Sequence, residues 1–340
     1  MDGSLSVELR EVCFGYPGTR LFEGLNWQVL AGEFHAVLGA SGSGKTTLLR
    51  IIAGLEYPQS GSVWIDQGDV TRSASHLRGV AMVSQSAWTY DHLSVADNLR
   101  FAQRLSGQCD SGLQEELVGQ FELDKVLGQK PGELSGGQLQ RLAIVRALLS
   151  GRRILLMDEP LSHLQESLRS PIRGLIRSWQ QQRGLTCIYV THDSQEACEL
   201  SDTVSLVAQG GILQTGASAE VYRRPRTRVA AELMGRPSVQ WFEDFQEGKR
   251  FGVRPADWSL MVANPPNSMD RPGFSFSPAE VLGFGIVVSV RQVESSRWIE
   301  VQVAQSRVLV VESRPSRIAR DQVEVGQTVQ ILTEEAIWLS

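Results

Sequence analysis

Four compact, mostly apolar runs punctuate the first two thirds of the chain, at residues 34–38, 80–83, 154–157 and 186–190. A strand buried on both faces reads as such a run, because neither face meets water. The stretches between them carry helical spacing. Alternating short strands and helices predict a layered α/β fold with a parallel sheet. The pattern changes near residue 235. Beyond it, Val301 and Val303, Val308 and Val310, and Val329 and Ile331 alternate with their neighbours. Glycine and proline punctuate often, as in Asn264-Pro265-Pro266 and Arg271-Pro272-Gly273. That texture predicts a small all-β domain. The boundary falls in a linker near residues 234–241, giving domains 1–235 and 236–340. No fixed-period repeat or low-complexity tract is present.

Composition narrows the class. The 340 residues suit two domains, and 42% hydrophobic with 21% charged residues excludes a disordered chain. With 33 Lys+Arg against 38 Asp+Glu the net charge is −5, which argues against nucleic-acid binding by bulk charge. Cys13, Cys109, Cys187 and Cys198 show no metal-ligand spacing, as expected in a reducing compartment. The first twelve residues carry acids and no apolar core, so no secretory leader is expected. The longest apolar run, 281–290, falls far short of the roughly 20 residues of a membrane helix. The chain is expected to be soluble, or held at a membrane by a partner.

Candidate chemistry begins directly after the first run. Gly39-Ala40-Ser41-Gly42-Ser43-Gly44-Lys45-Thr46 fits G-x-x-x-x-G-K-[ST], and Thr47 opens a helical stretch. Glycines let the backbone curl around a phosphate, and a helix N-terminus adds a positive dipole end. Lys45 is placed to hold β- and γ-phosphates, and Thr46 to offer a hydroxyl to Mg²⁺. The third run ends in Asp158-Glu159. An aspartate at the carboxyl end of a strand is where such enzymes hold Mg²⁺. Glu159 is a candidate general base toward water.

Between these two elements lies Leu134-Ser135-Gly136-Gly137-Gln138, followed by Leu139-Gln140-Arg141-Leu142-Ala143. This resembles the signature motif of ATP-binding cassette (ABC) ATPases, in the family's order along the chain. The resemblance implies an α/β P-loop NTPase with a RecA-like core, an antiparallel β subdomain and a helical subdomain near 86–152. It implies ATP and Mg²⁺ as ligands. It also implies that Ser135, Gly136, Gly137 and Gln138 meet the γ-phosphate held by a second copy, in a head-to-tail homodimer. Tyr16 matches the aromatic that stacks on adenine. Gln85 matches the glutamine that touches Mg²⁺ and water and faces the membrane partner. His192, before Asp193-Ser194-Gln195-Glu196-Ala197, matches the switch histidine of the γ-phosphate. The implied site therefore has Glu159, His192 and Gln85 in catalysis, and Thr46, Gln85 and Asp158 around the metal.

One departure stands out. After Glu159-Pro160-Leu161-Ser162 the family continues small residue, leucine, aspartate, and here the chain reads His163-Leu164-Gln165. The missing aspartate helps couple the family's two nucleotide sites. The loop Ser86-Ala87-Trp88-Thr89-Tyr90 is also more aromatic than usual on the side facing the partner.

The segments 219–235 and 251–257, with Gly326-Gln327-Thr328-Val329-Gln330-Ile331 and Ile337-Trp338-Leu339, resemble the end of importer ATPases and their OB-like (TOBE) domain. The resemblance implies an ATPase subunit at the cytoplasmic face of a bacterial inner membrane. Its partners would be transmembrane permease subunits and, indirectly, a periplasmic substrate-binding protein, with no nucleic acid. The expected cargo is an inorganic ion such as ferric iron, with polyamines or sugars as alternatives. A soluble ribosome- or DNA-acting cassette is disfavoured by the single cassette and the absence of heptads. An exporter would leave the β domain unexplained. A nucleotide-sensing regulator with little turnover is the alternative of another class.

Overall fold

The computed structural model describes residues 4–107, 110–208 and 210–235, residue 239, and the strands named below beyond it. Cys109, residues 236–238 of the expected linker, and the motif residues 254–257, 264–266, 271–273, 326, 327 and 339 lie outside the described residues. The chain forms two compact units, Met1–Ala219 and Glu220–Ser340.

The first unit opens with β1 (Leu5–Tyr16), β2 (Thr19–Leu30) and β3 (Phe34–Gly39), then helix α1 (Lys45–Ala53). There follow β4 (Ser60–Ile65), β5 (Gly68–Asp69) and β6 (Val80–Val83). Helices α2 (Val95–Ser106), α3 (Ser111–Gln120) and α4 (Gly136–Leu149) lead to β7 (Ile154–Asp158). The unit closes with α5 (Glu166–Arg183), β8 (Thr186–Thr191), α6 (Ser194–Leu200), β9 (Thr203–Ala208), β10 (Gly211–Ala217) and the start of α7 (Ser218–Arg223).

The four apolar runs are β3, β6, β7 and β8. They share one six-stranded sheet in the order β10-β9-β3-β8-β7-β6. Every pairing among them is parallel, and β9 also lies parallel to β3 while β10 returns antiparallel. Successive residues of a strand point to opposite faces, and the two cores show it. Ile154, Leu156, Ile188 and Val190 join α1 and the N-terminal sheet. Leu155, Met157, Cys187 and Tyr189 join the helical side, with Leu99, Phe121, Leu142 and Trp179. The N-terminal sheet, order β2-β1-β4-β5, is antiparallel.

Helix α1 ends at Gly54, in the left-handed region at φ 73°. A side chain there would strike the Arg78 guanidinium, 2.4 Å from the added carbon. Arg78 is buried. It donates to the carbonyls of Ile51, Ile52, Thr71 and Ser73 at 2.7–3.1 Å, which satisfies the open end of α1.

In the second unit, α8 (Arg228–Leu233) is capped by Thr227. The strands are β11 (Gln240–Glu243), β12 (Arg250–Val253), β13 (Ser259–Val262), β14 (Ser275–Ser277), β15 (Glu280–Val293), β16 (Ser296–Val303), β17 (Ser306–Glu312), β18 (Thr328–Thr333) and β19 (Ile337–Trp338). They form the antiparallel sheets β11-β12-β19 and β13-β18-β15-β16-β17, with β14 on β15. The alternating valines lie in these ladders, Val301 opposite Val308 and Val329 opposite Gly285. Among the described residues no helix is long and apolar enough to cross a membrane, and Cys13, Cys187 and Cys198 form no disulfide with one another.

Arg78→Ala removes the guanidinium donor from four carbonyls, of which Ile51 keeps the Gly54 N–H. It should cost roughly 3 kcal/mol or more, read as a lower midpoint in thermal unfolding. Lys, a point donor without the fork, should not restore it.

Candidate active site

The loop between β3 and α1 is shaped by its first and last glycines. A carbon added at Gly39 would sit 2.3 Å from the Val207 carbonyl oxygen of β9. Gly44, the residue before α1, has φ 102°, and a side chain there would press on Leu21 and Phe22. The loop thus wraps tightly around its own helix N-terminus. Lys45 is buried, and its Nζ donates to the carbonyls of Gly39 and Ala40 at 2.8 Å each. Burial pulls the Lys45 ammonium below the usual lysine range, against the opposing pull of Glu159 and Asp158. Ser43 Oγ is buried and, among the described residues, has no hydrogen-bond partner. Tyr16, half exposed, stands edge-on to Phe14 and 3.5 Å by its hydroxyl from Thr47 Oγ1.

Strand β7 ends level with β8, since Asp158 pairs with Val190, which in turn pairs with Val37 of β3. Thr46 Oγ1 donates to Asp158 Oδ1 at 3.1 Å across that edge. Burial pushes the Asp158 carboxyl above the usual aspartate range; the Thr46 hydroxyl opposes this and the Glu159 charge adds to it. Gln85 lines the same cleft as Thr46 and Asp158, a space of ≈ 350 Å³. Thr46, Gln85 and the buried Asp158 carboxylate together give this cleft an oxygen donor set that fits a hard divalent cation. The orphan Ser43 hydroxyl and the glycine-lined loop fit phosphate oxygens.

The residue after Asp158 leaves the strand abruptly. Glu159 has φ 45°, an uncommon conformation for a side-chain-bearing residue. Its N–H donates to the Val190 carbonyl at 3.0 Å, and its Oε1 lies 3.1 Å from His192 Nδ1. His192 follows β8, and its ring is half exposed. Thr191 beneath it donates to buried Glu196, which also receives the Tyr189 hydroxyl and lies 3.9 Å from Arg173.

Ser135 caps α4. Its hydroxyl accepts from Gln138 N–H, and Gln138 Oε1 accepts from Ser135 N–H at 2.9 Å, a reciprocal capping box. Among the described residues no hydrogen bond or ion pair joins residues 135–138 to residues 39–47. One chain thus gathers Tyr16, the loop, Gln85, Asp158, Glu159 and His192, and leaves Ser135–Gln138 outside that cluster.

Two residues were not foreseen as part of this region. His163, noted only as a departure, lines the cleft of Thr46, Gln85 and Asp158. Gln140, one turn beyond the signature glycines, is fully buried against the turn after Glu159. Its spacing of three from Gly137 places both on one helix face. Gln165 occupies the cap position of α5 without a side-chain cap bond.

A family model described as ABC transporter matches residues 22–162. The Fe(3+) ions import ATP-binding protein FbpC of Escherichia coli (strain K12) is 38% identical over 232 residues, covering 67% of each chain. The sn-glycerol-3-phosphate import ATP-binding protein UgpC of Chromobacterium violaceum is 38% identical over 242 residues, 70% of this chain and 65% of that protein. The maltose/maltodextrin import ATP-binding protein MalK of Vibrio cholerae is 38% identical over 246 residues, 72% and 66%. A solved structure, the dimeric post-hydrolysis state of the ATP-binding cassette MJ0796 bound to ADP and Pi, superposes with TM-score 0.57 at 27% identity. It covers 62% of this chain and 98% of that one.

The raised Asp158 pKa has a sign that can be measured. Protonation favours the folded chain, so this contribution is present below the unfolded value and is lost as pH rises through the folded one. At neutral pH the carboxylate costs stability. Asp158→Asn keeps an acceptor for Thr46 and removes the charge. In EDTA and without nucleotide it should melt above wild type at pH 7, with the gap closing toward about pH 4, the ordinary aspartate range. A variant melting below wild type at pH 7 would contradict this.

Proposed function

The chain belongs to the ABC transporter ATPases, and from that premise we propose that it is the ATP-hydrolysing subunit of an importer for an inorganic ion such as ferric iron. The observation that carries the catalytic part is the convergence of Thr46, Gln85 and Asp158 on one cleft, with Glu159 held by His192 on the next residue. Lys45 exchanges the carbonyls of Gly39 and Ala40 for β- and γ-phosphate oxygens. The backbone from Gly39 to Thr47, with the hydroxyls of Ser41 and Ser43, cradles the polyphosphate. Thr46, Gln85 and Asp158 would hold Mg²⁺, which would supply charge neutralisation at the phosphate oxygens. Glu159 accepts the proton of the attacking water, and His192 fixes the carboxylate that receives it. Tyr16 offers its exposed ring to adenine.

Ser135, Gly136, Gly137 and Gln138 lie apart from this cluster in their own chain, which supports their use by a second copy. A head-to-tail pair then contains two sites, each closed by the other chain's α4 N-terminus. The solved relative, described as dimeric, supports a two-copy unit. Differential binding of the γ-phosphate to the closed pair supplies the free energy for transport. Transmembrane permease subunits at the cytoplasmic face of the inner membrane receive it, with a periplasmic binding protein selecting cargo. In this reading 1–235 is the nucleotide-binding domain, with its helical subdomain near 86–152, and 236–340 an OB-like module that holds or regulates the pair.

The ferric-ion reading is supported by several relatives named as Fe(3+) importers. The glycerol-phosphate and maltose relatives, at the same 38% identity, favour a sugar or sugar phosphate as the second reading. Reconstitution with the permease decides between them. ATPase stimulation by a binding protein loaded with Fe³⁺, and not by one loaded with maltose or glycerol 3-phosphate, is expected. The reverse pattern overturns the ion.

Glu159→Gln should leave ATP binding intact, hold the pair closed, and slow steady-state hydrolysis by about 10²–10⁴-fold. Equal turnover removes Glu159 from the base role. Lys45→Ala should abolish measurable ATP binding in a filter or calorimetric assay, and unchanged affinity overturns its phosphate role.

A further inference from the structure

We propose that Gln140 is a positioning residue that locks the signature end of α4 to the Glu159 turn, so that each nucleotide site of the pair senses the other. The inference rests on the two-copy reading above and adds to it a specific residue and route.

Gln140 is buried to 0% exposure, yet its amide is fully engaged with one short turn. Its Nε2 donates to Ser162 Oγ at 3.3 Å, and its Oε1 accepts from His163 N–H at 3.2 Å. Ser162 passes the link on, donating from Oγ to the Glu159 carbonyl at 3.0 Å and from N–H at 3.2 Å. Glu159 is the residue that needs such support, since φ 45° is disfavoured for a side-chain-bearing residue.

The second contact lies three residues earlier on the same helix face. A carbon added at Gly137 would sit 3.1 Å from Leu164 Cδ2 and 3.7 Å from the His163 carbonyl oxygen. The first turn of α4 therefore rests directly on residues 163–164, while Gln140 grips 162–163 from behind. A shift of Ser135–Gly137 on meeting a γ-phosphate moves the turn, and the turn carries Glu159. Because Ser135–Gly137 serve the partner's site and Glu159 serves its own, Gln140 joins the two. The family's charged residue for this task is replaced by Gln165, whose side chain makes no cap bond here. Among the described residues the Gln140 amide supplies the hydrogen bonds between the signature helix and the turn.

Mixed dimers of the full chain test this. One copy, X, carries Glu159→Gln, so the surviving site combines the Glu159 of copy Y with the signature of X. Gln140→Leu is then placed in Y or in X. In both placements hydrolysis should slow by about tenfold, the loss expected from one or two neutral hydrogen bonds, with the KM for ATP within about twofold of wild type. Ser162→Ala cuts the same link from the other side and should behave alike in both placements; it also serves if Gln140→Leu does not fold. Slowing confined to Y makes Gln140 a local prop of Glu159 and overturns the coupling, as does slowing in neither placement. Absence of ATP-dependent pairing in the Glu159→Gln homodimer is a separate result. It overturns the two-copy reading itself, and the coupling with it.

Discussion

A parallel strand delivers its carboxyl end to one edge of a sheet, and β3, β8 and β7 do so on neighbouring tracks. The shared rung of Val37, Val190 and Asp158 sets the three ends level. From that edge leave the loop of Lys45, the turn of Glu159 and the residue His192. A slip of one of these strands by a single residue turns its side chains to the opposite face, and would part pairs that cross the strand ends, such as Thr46 with Asp158 and Glu159 with His192. The two apolar cores on either side of the sheet enforce the register. Catalytic geometry here is thus a by-product of packing far from the chemistry.

The edge so formed gathers charge that packing disfavours. Lys45 and Asp158 are both held away from their ordinary titration ranges, chiefly by burial. The backbone at Glu159 adds a conformational cost. Ser43 keeps a hydroxyl without a partner among the described residues. These are the places where a nucleotide and a divalent ion have most to offer, so the unloaded site is poised to gain from binding.

Much of this was legible in the sequence, and for definable reasons. The apolar runs at 34–38, 80–83, 154–157 and 186–190 found their strands because burial on both faces leaves a continuous hydrophobic trace. Strand β1 left no clean trace, although β2 alternates from Leu25 to Leu30. The β1 alternation is broken by register shifts near Val12 and by Glu11 at φ 48°, so its two-residue rhythm loses phase. The order β3-β8-β7 was equally hidden, since it sets β3 beside β8, a strand more than a hundred positions further along the chain. His163 and Gln140 were missed for a related reason. Their importance comes from what a turn brings beside them, and neither residue type announces it.

Helix α4 spans 14 residues, about 21 Å at 1.5 Å each. No glycine or proline interrupts it after Gly137. Ser135 sits at one end and Gln140 near the middle. Toward the other end Arg146 donates to the Trp88 carbonyl at 2.7 Å and stacks on Tyr90. The helix is in effect a stiff rod tied along its length to the turn of Glu159, through Arg141 to Phe121 and Glu122, and to the aromatic loop beyond Gln85. A load applied at Trp88 reaches Ser135 without crossing a joint, and the same holds in reverse. What travels along such a rod is displacement, so its stiffness sets how much of a push at one end arrives at the other.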